Sequence, residues 1–293
     1  MMLIVLKNVF FNALSSIYRL RTLRFNCFFL RAMLKNINFN NRYDRCIILG
    51  NGPSLKKDME KINNETKVDF FGVNHFAESV YFSSLKPNKY MLLDPYFWSA
   101  AAHEQLKAKR ESLFTSLNES VHWDIMLFVP ISSDLEYLRS KITNNKIHII
   151  KLNSVVLPYL PHVQRKLILN KFATGLYGPP ASNVLIWAVY VAIFAGYKEV
   201  DLYGADLSFT QDIQVDQKSN QLMIKYKHFY GESTYEPLMM NPERIKNVTM
   251  EDLYWEMYQT FYAHNLLSDF AQAKGVEIKN RSSYSLIDSY PRF

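Results

Sequence analysis

The sequence predicts an α/β fold, a mostly parallel sheet flanked by helices. Three observations carry this. Short runs rich in β-branched residues alternate with segments of helical character, polar residues follow those runs, and one run ends in a glycine turn leading into a helix. At 293 residues, 48% hydrophobic and 21% charged, the chain has the make-up of a globular protein with a sizeable core.

The first segment, residues 1–39, mixes Leu, Ile, Val and Phe with arginines and contains neither proline nor glycine. Its polar positions Asn8, Asn12, Ser15, Ser16 and Arg19 recur three or four apart, as on one face of a helix. Residues 1–45 hold eight basic residues against one acidic residue, Asp44. That excess of seven equals the formal net charge of +7, so the rest of the chain is formally neutral. This distribution argues against a nucleic-acid protein with a basic face on its main domain. No apolar run in the tail is long enough to span a bilayer, and no cleavage site of a secretory signal follows one. The expectation is a basic amphipathic helix, residues 1–44 at its widest, lying at an anionic membrane surface. A helix docked on the protein's own body, or on a second subunit, is the structural alternative. Cys27 and Cys46 have no metal-ligand spacing and suggest a reduced, cytosolic setting without disulfides.

Residues 45–293 form the expected main domain. R-C-I-I-L-G-N-G-P-S-L at 45–55 reads as a buried strand, a glycine turn and a helix start. Gly50 and Gly52 permit a sharp turn and close backbone approach, Pro53 presets the first helical turn, and Asn51 and Ser54 bring polar groups to its mouth. Such a helix N-terminus suits a phosphate. A lone Gly-x-Gly describes a ligand-free βα turn equally well. Further strands are expected at 68–73, 90–93, 126–129 and 147–152, a buried helix at 184–195, and another strand at 199–203. Asn51, Asn74, Asp94 and Asp206 each follow a strand, the edge at which open parallel sheets bind ligands, although each alone is also an ordinary turn former.

The polar, aperiodic stretch 211–227 reads as a loop within a lid at about 207–245. It leads into K-H-F-Y-G-E, where His228 and Glu232 offer acid–base chemistry beside Tyr226 and Tyr230. Thr249-Met250-Glu251-Asp252 has the form of a capping box opening a long helix to about Lys274, in which Trp255, Tyr258, Phe261 and Tyr262 are expected in the core. Gly275 closes it and a last strand follows at 276–279.

Four blocks in order, I-I-L-G-N-G-P-S-L at 47–55, F-G-V-N-H-F at 71–76, A-G-Y-K-E-V-D-L-Y-G-A-D at 195–206 and H-F-Y-G-E at 228–232, resemble the bacterial CMP-sialic acid sialyltransferases and the related flagellin-modifying, motility accessory factor-like glycosyltransferases. The resemblance implies a modified GT-A, Rossmann-like fold. It also implies transfer of a sialic acid or related keto-sugar from a CMP donor to a glycan or glycolipid in surface polysaccharide synthesis. Asn51 and Asn74 would touch the nucleotide, Asp94-Pro95 stands where the family has Asn-Pro, and Ser182 is the nearest match to a Thr-Ser-Gly donor segment. Glu232 stands where the family's catalytic histidine falls, and His228 matches the motif's first histidine. Tyr226 and Tyr230 are the nearest counterparts of phosphate-binding tyrosines. No Asp-x-Asp motif is present, so no obligatory metal or other cofactor is expected beyond the nucleotide-sugar donor. The expected setting is cytoplasmic, peripheral to the inner face of the membrane. Self-association is left open. A pyrophosphokinase sharing the G-N-G-P-S-L core and a non-catalytic membrane scaffold are the rival classes.

Overall fold

The computed structural model describes residues 37–152, 155–160, 163–229, 231–232, 234–239 and 242–292, with only the backbone described at Glu232. The expected N-terminal helix, with Cys27, lies outside these residues, as does Tyr230. The chain divides into two compact units, Met1–Asn38 and Phe39–Phe293, and the second is described here.

Its strands are β1 (Arg45–Leu49), β2 (Asp69–Val73), β3 (Lys89–Met91), β4 (Ile125–Pro130), β5 (Ile147–Leu152), β6 (Val155–Val156), β7 (Tyr177–Gly178), β8 (Glu199–Tyr203), β9 (Ile213–Val215), β10 (Leu222–Ile224), β11 (Lys227–His228), β12 (Gly231–Glu232), β13 (Glu236–Pro237) and β14 (Glu277–Asn280). Seven of them form one parallel sheet in the order β14-β8-β1-β2-β3-β4-β5. The order runs outward from β1 in one direction and resumes at β8 on its other side, so the topological switch point lies between β1 and β8. This is an α/β fold of the Rossmann-like type.

The helices are α1 (Ser54–Asn63), α2 (Phe82–Leu85), α3 (Glu104–Ser120), α4 (Leu135–Lys141), α5 (Arg165–Phe172), α6 (Val184–Phe194) and α7 (Met250–Lys274). Period-two alternation sends Ile47 and Leu49 of β1 to one face of the sheet, where Leu55, Met59 and Ile62 of α1 and Leu113, Phe114 and Leu117 of α3 meet them. On the opposite face lies α6, V-L-I-W-A-V-Y-V-A-I-F, buried from Leu185 to Ile193 because the sheet covers one side and α7 the other. Each fully buried aliphatic side chain there contributes roughly 1.5–3 kcal/mol. Asn183 caps α6, its side chain accepting from the Leu185 amide at 2.8 Å. Thr249 and Asp252 make the reciprocal capping box of α7, and Gly275, at φ +69°, ends that helix in the left-handed conformation.

Three expectations change. Residues 39–44, grouped with the tail in the sequence, are fastened to the body. The Phe39 ring lies 6.1 Å from that of Phe128, Arg42 bonds Asp69 at 2.9 Å, and Lys198 bonds Asp44 at 2.6 Å. Residues 211–227, expected as a loop, hold β9 and β10, which join β13 in a small antiparallel sheet. That sheet rests on its own apolar cluster of Leu222, Val248, Leu253 and Met257, too small to leave a periodic signal. Finally, Trp255 and Tyr258 are not core residues. They are 50% and 47% exposed, because α7 turns Leu253, Met257, Thr260, His264 and Leu267 inward and leaves positions 255 and 258 outside.

Candidate functional site

The three turns that follow β1, β2 and β3 open onto a cavity of about 680 Å³ at the carboxyl edge of the sheet. Asn51, directly beyond Gly50, donates its side-chain amide to the Val73 carbonyl at 3.1 Å. Its Oδ1 is buried and has no hydrogen-bond partner among the described residues. Asn74 repeats the arrangement one strand over: its backbone is left-handed at φ +47°, which asparagine tolerates, and its Oδ1 is likewise buried and unpartnered. Two orphaned acceptors on adjacent turns each cost about 1–3 kcal/mol, an arrangement that functional sites favour over structural turns. Asp94, after β3, accepts from the Tyr96 amide at 3.2 Å and opens into the cavity, and the protein mass around it raises its carboxyl above the ordinary range.

The opposite wall comes from distant sequence. β11 and β12 form a hairpin in which Lys227 faces Glu232 and His228 faces Gly231. Phe229 at its tip packs against Phe76 and Tyr81, and its amide donates to the Asn51 carbonyl at 3.2 Å. That bond ties the hairpin to the β1 turn and sets His228 in the cavity wall. Burial lowers the His228 pKa, with the charges of His75 and Lys109 adding to the effect and the Asn51 main-chain carbonyl opposing it. Its imidazole is therefore neutral at neutral pH, as a general base must be. Tyr226 also lines the cavity, and burial followed by the Glu236 charge pushes its hydroxyl up to about 12, so it stays protonated and can donate. Ser182, on the turn before α6, lines the cavity and accepts from the Thr260 hydroxyl at 2.8 Å.

Gly50, Gly52, Ser54 and Asp206 meet where the β1 turn abuts the end of β8. Gly50 and Gly52 let the β1 turn press against the end of β8. A Cβ on Gly50 would lie 2.3 Å from the Gly204 carbonyl oxygen, and one on Gly52 would lie 2.1 Å from Asp206 Oδ1. Their amides donate to the Tyr203 and Gly204 carbonyls at 2.8 and 2.9 Å. At the start of α1, Asp206 accepts from the Ser54 amide at 3.0 Å and from its hydroxyl at 2.6 Å. The helix N-terminus read as a phosphate site is thus occupied by a buried carboxylate of the protein itself. Glu232 holds its backbone place across from Lys227; its side chain is outside the described residues.

Four further cavity residues, His75, Lys109, Arg244 and Glu256, were not singled out in the sequence. His75 is held between Glu78 and the Tyr96 hydroxyl. Lys109 on α3 and Arg244, the latter bonded to Glu236 at 3.2 Å, bring positive charge to the cavity wall. Glu256 on α7 faces the same space, and burial and then the Asp94 charge raise its carboxyl. Among the described residues no group of three or more His, Cys, Asp or Glu is placed to hold a metal ion.

No family model matches the chain, and no curated protein matches it. Solved structures do. The MAf glycosyltransferase from Magnetospirillum magneticum AMB-1 shares 15% identity at a TM-score of 0.45, over 85% of this chain and 33% of that one, so the chain spans about a third of its length. The sialyltransferase CST-II, solved with a trisaccharide acceptor and CMP, shares 14% identity at a TM-score of 0.41 over 84% of both chains. The monofunctional alpha-2,3-sialyltransferase Cst-I from Campylobacter jejuni shares 12% identity at a TM-score of 0.40, over 89% of this chain and 84% of that one. Likeness at this level is one of general arrangement, and no residue's role is carried across by it.

Proposed function

We propose that the protein is a glycosyltransferase moving a sialic acid or related keto-sugar from a CMP donor to a glycan or glycolipid acceptor. The observation that carries the reading is the meeting of Asn51, Asn74 and His228 in one cavity, secured by the Phe229–Asn51 hydrogen bond. The unpartnered Asn51 and Asn74 oxygens suit the amino and hydroxyl donors of a cytidine. His228, neutral and held by the hairpin, removes the proton of the acceptor hydroxyl. The acceptor oxygen forms its bond to the anomeric carbon as the bond from that carbon to the phosphate oxygen breaks. Lys109, Arg244 and the Tyr226 hydroxyl meet the negative charge that grows on the departing phosphate. Glu232, at the matching place of the family motif, is the alternative base, and separate His228→Gln and Glu232→Gln variants distinguish the two.

The basic segment 1–39 would hold this domain at an anionic membrane, in reach of a lipid-borne acceptor. Vesicle co-sedimentation of full-length protein and of a chain lacking 1–36, at low and high salt, tests that part. The catalytic reading is tested by a thermal-shift panel of CMP, UMP, UDP, GDP and ATP, because a ligand of the folded state adds RT ln(1 + [L]/Kd) to stability. CMP should give the largest shift and a chelator should leave turnover intact. Stabilisation by ATP alone, with turnover abolished by chelator, would instead assign the cavity to a pyrophosphokinase.

A further inference from the structure

A second cavity, of about 350 Å³, adjoins the first, and both are lined by Ala181, Ser182 and Glu256. The two lie side by side along these residues, with Glu256 in the wall of each. One wall of the second cavity is a single face of α7, Asp252, Trp255, Glu256 and Gln259, at the i, i+3, i+4, i+7 spacing of a helical stripe. Trp255 is half exposed, and its ring lies nearly parallel to that of Tyr258, at 16° with centroids 5.9 Å apart. Tyr159 meets both edge-on, at 80° and 87°, and its hydroxyl bonds that of Tyr258 at 2.8 Å. These contacts brace the plane of the indole from two sides while half of the side chain stays exposed.

We propose that this plane is the acceptor platform of the glycosyl-transfer reading above, on which it rests, and that it takes an uncharged pyranose. A sugar ring has an apolar C–H face that lies against the electron-rich face of an indole, and an equatorial rim of hydroxyls. Here the aromatic plane is bordered by two carboxylates and an amide, acceptors for that rim. A lipid tail or an apolar peptide would strip water from Asp252, Glu256 and Gln259 without replacing its hydrogen bonds. An anionic sugar or a phosphate would meet like charge from the same carboxylates. A neutral sugar seated on Trp255 would lie beside Glu256, which also lines the cavity that holds His228.

Binding of methyl β-D-galactopyranoside, methyl β-D-glucopyranoside and the anionic 3'-sialyllactose to the full chain, followed by saturation-transfer NMR beside a CMP titration, tests the assignment. The expected result is binding of a neutral glycoside in preference to sialyllactose, weakened about tenfold in Trp255→Ala and partly restored in Trp255→Phe, with CMP affinity unchanged. A half-exposed side chain can be removed without unfolding the helix, and an unchanged melting temperature confirms that the variant is folded. Glycoside affinity equal in wild type and Trp255→Ala, stronger binding of sialyllactose, or CMP binding with no neutral glycoside bound would each overturn the proposal. So would a dimer lost in Trp255→Ala with no glycoside bound, which would give the face to a second copy of the chain. Glycosides binding at Trp255 while no nucleotide binds the cavity would be a failure of the glycosyl-transfer reading, and the acceptor assignment would fall with it.

Discussion

Two stretches of the same sheet edge use the same kinds of residue to opposite ends. Where β1 meets β8, the edge is sealed: the Gly50 and Gly52 amides donate to the Tyr203 and Gly204 carbonyls, and the Ser54 amide and hydroxyl donate to the Asp206 carboxylate, all at 2.6–3.0 Å. Where β1, β2 and β3 end side by side, the edge is open: two asparagine oxygens lack partners, Asp94 is raised by its surroundings and His228 is lowered. Polar residues after parallel strands are a family of candidates; the difference lies in whether the fold has already met their hydrogen-bonding capacity. A completed network holds the structure together, and an incomplete one is where a ligand gains most.

The comparison breaks most sharply at His228. His228→Gln should lower kcat by about 10²–10⁴-fold with an unchanged melting temperature, since the residue serves the open half. The acid limb of the wild-type rate profile should fall below the ordinary histidine pKa, because burial favours the neutral ring. Turnover climbs with pH through that lowered value and is level at neutrality; a limb at or above 6.5 would contradict the burial argument. On the sealed half, Gly52→Ala should cost stability and not chemistry. With Asp206 Oδ1 2.1 Å and the Gly204 oxygen 2.7 Å from the new Cβ, a loss of about 3 kcal/mol is expected in denaturant melts.

A separate, pH-dependent effect lies away from both halves, at His264. It is fully buried, bonds Tyr290 at 2.9 Å, and burial lowers its pKa to about 3. In the unfolded chain it binds a proton near 6.5, so between those values the unfolded state holds more protons and stability rises with pH. The contribution is complete above 6.5 and is lost as pH falls toward 3, by up to about 1.4 kcal/mol per pH unit. His264→Leu should flatten the stability–pH slope between about pH 4 and 6, and an unchanged slope would show that other groups govern acid unfolding.

The sheet was legible because its strands are apolar runs ending in turn formers, and α6 because it is apolar on every side. Asn51, Asn74 and Asp94 were legible as site candidates for the same reason: the strand ends place them. Ser54 and Asp206 carry the same local signal, and only the 2.6 Å contact between them shows that they bind each other. Lys109, Arg244 and Glu256 had no signal at all, since they come from two helices and a loop that only the topology brings together. The small sheet of β9, β10 and β13 escaped because strands of two or three residues are too short to show a period. Trp255 and Tyr258 were misplaced because hydrophobicity alone does not say which stripe of a long helix faces inward.

The most direct test sets the two halves against each other with one ligand. CMP affinity is measured by titration calorimetry for wild type, Asn51→Ala and Ser54→Ala, with melting temperatures alongside. Asn51→Ala should weaken CMP binding about 10–100-fold, the loss of one hydrogen bond in a buried site. Ser54→Ala should bind CMP as wild type does while melting at lower temperature. Equal weakening in both variants would return the nucleotide to the α1 N-terminus and contradict the division drawn here, and no binding of CMP to the wild type would remove its premise.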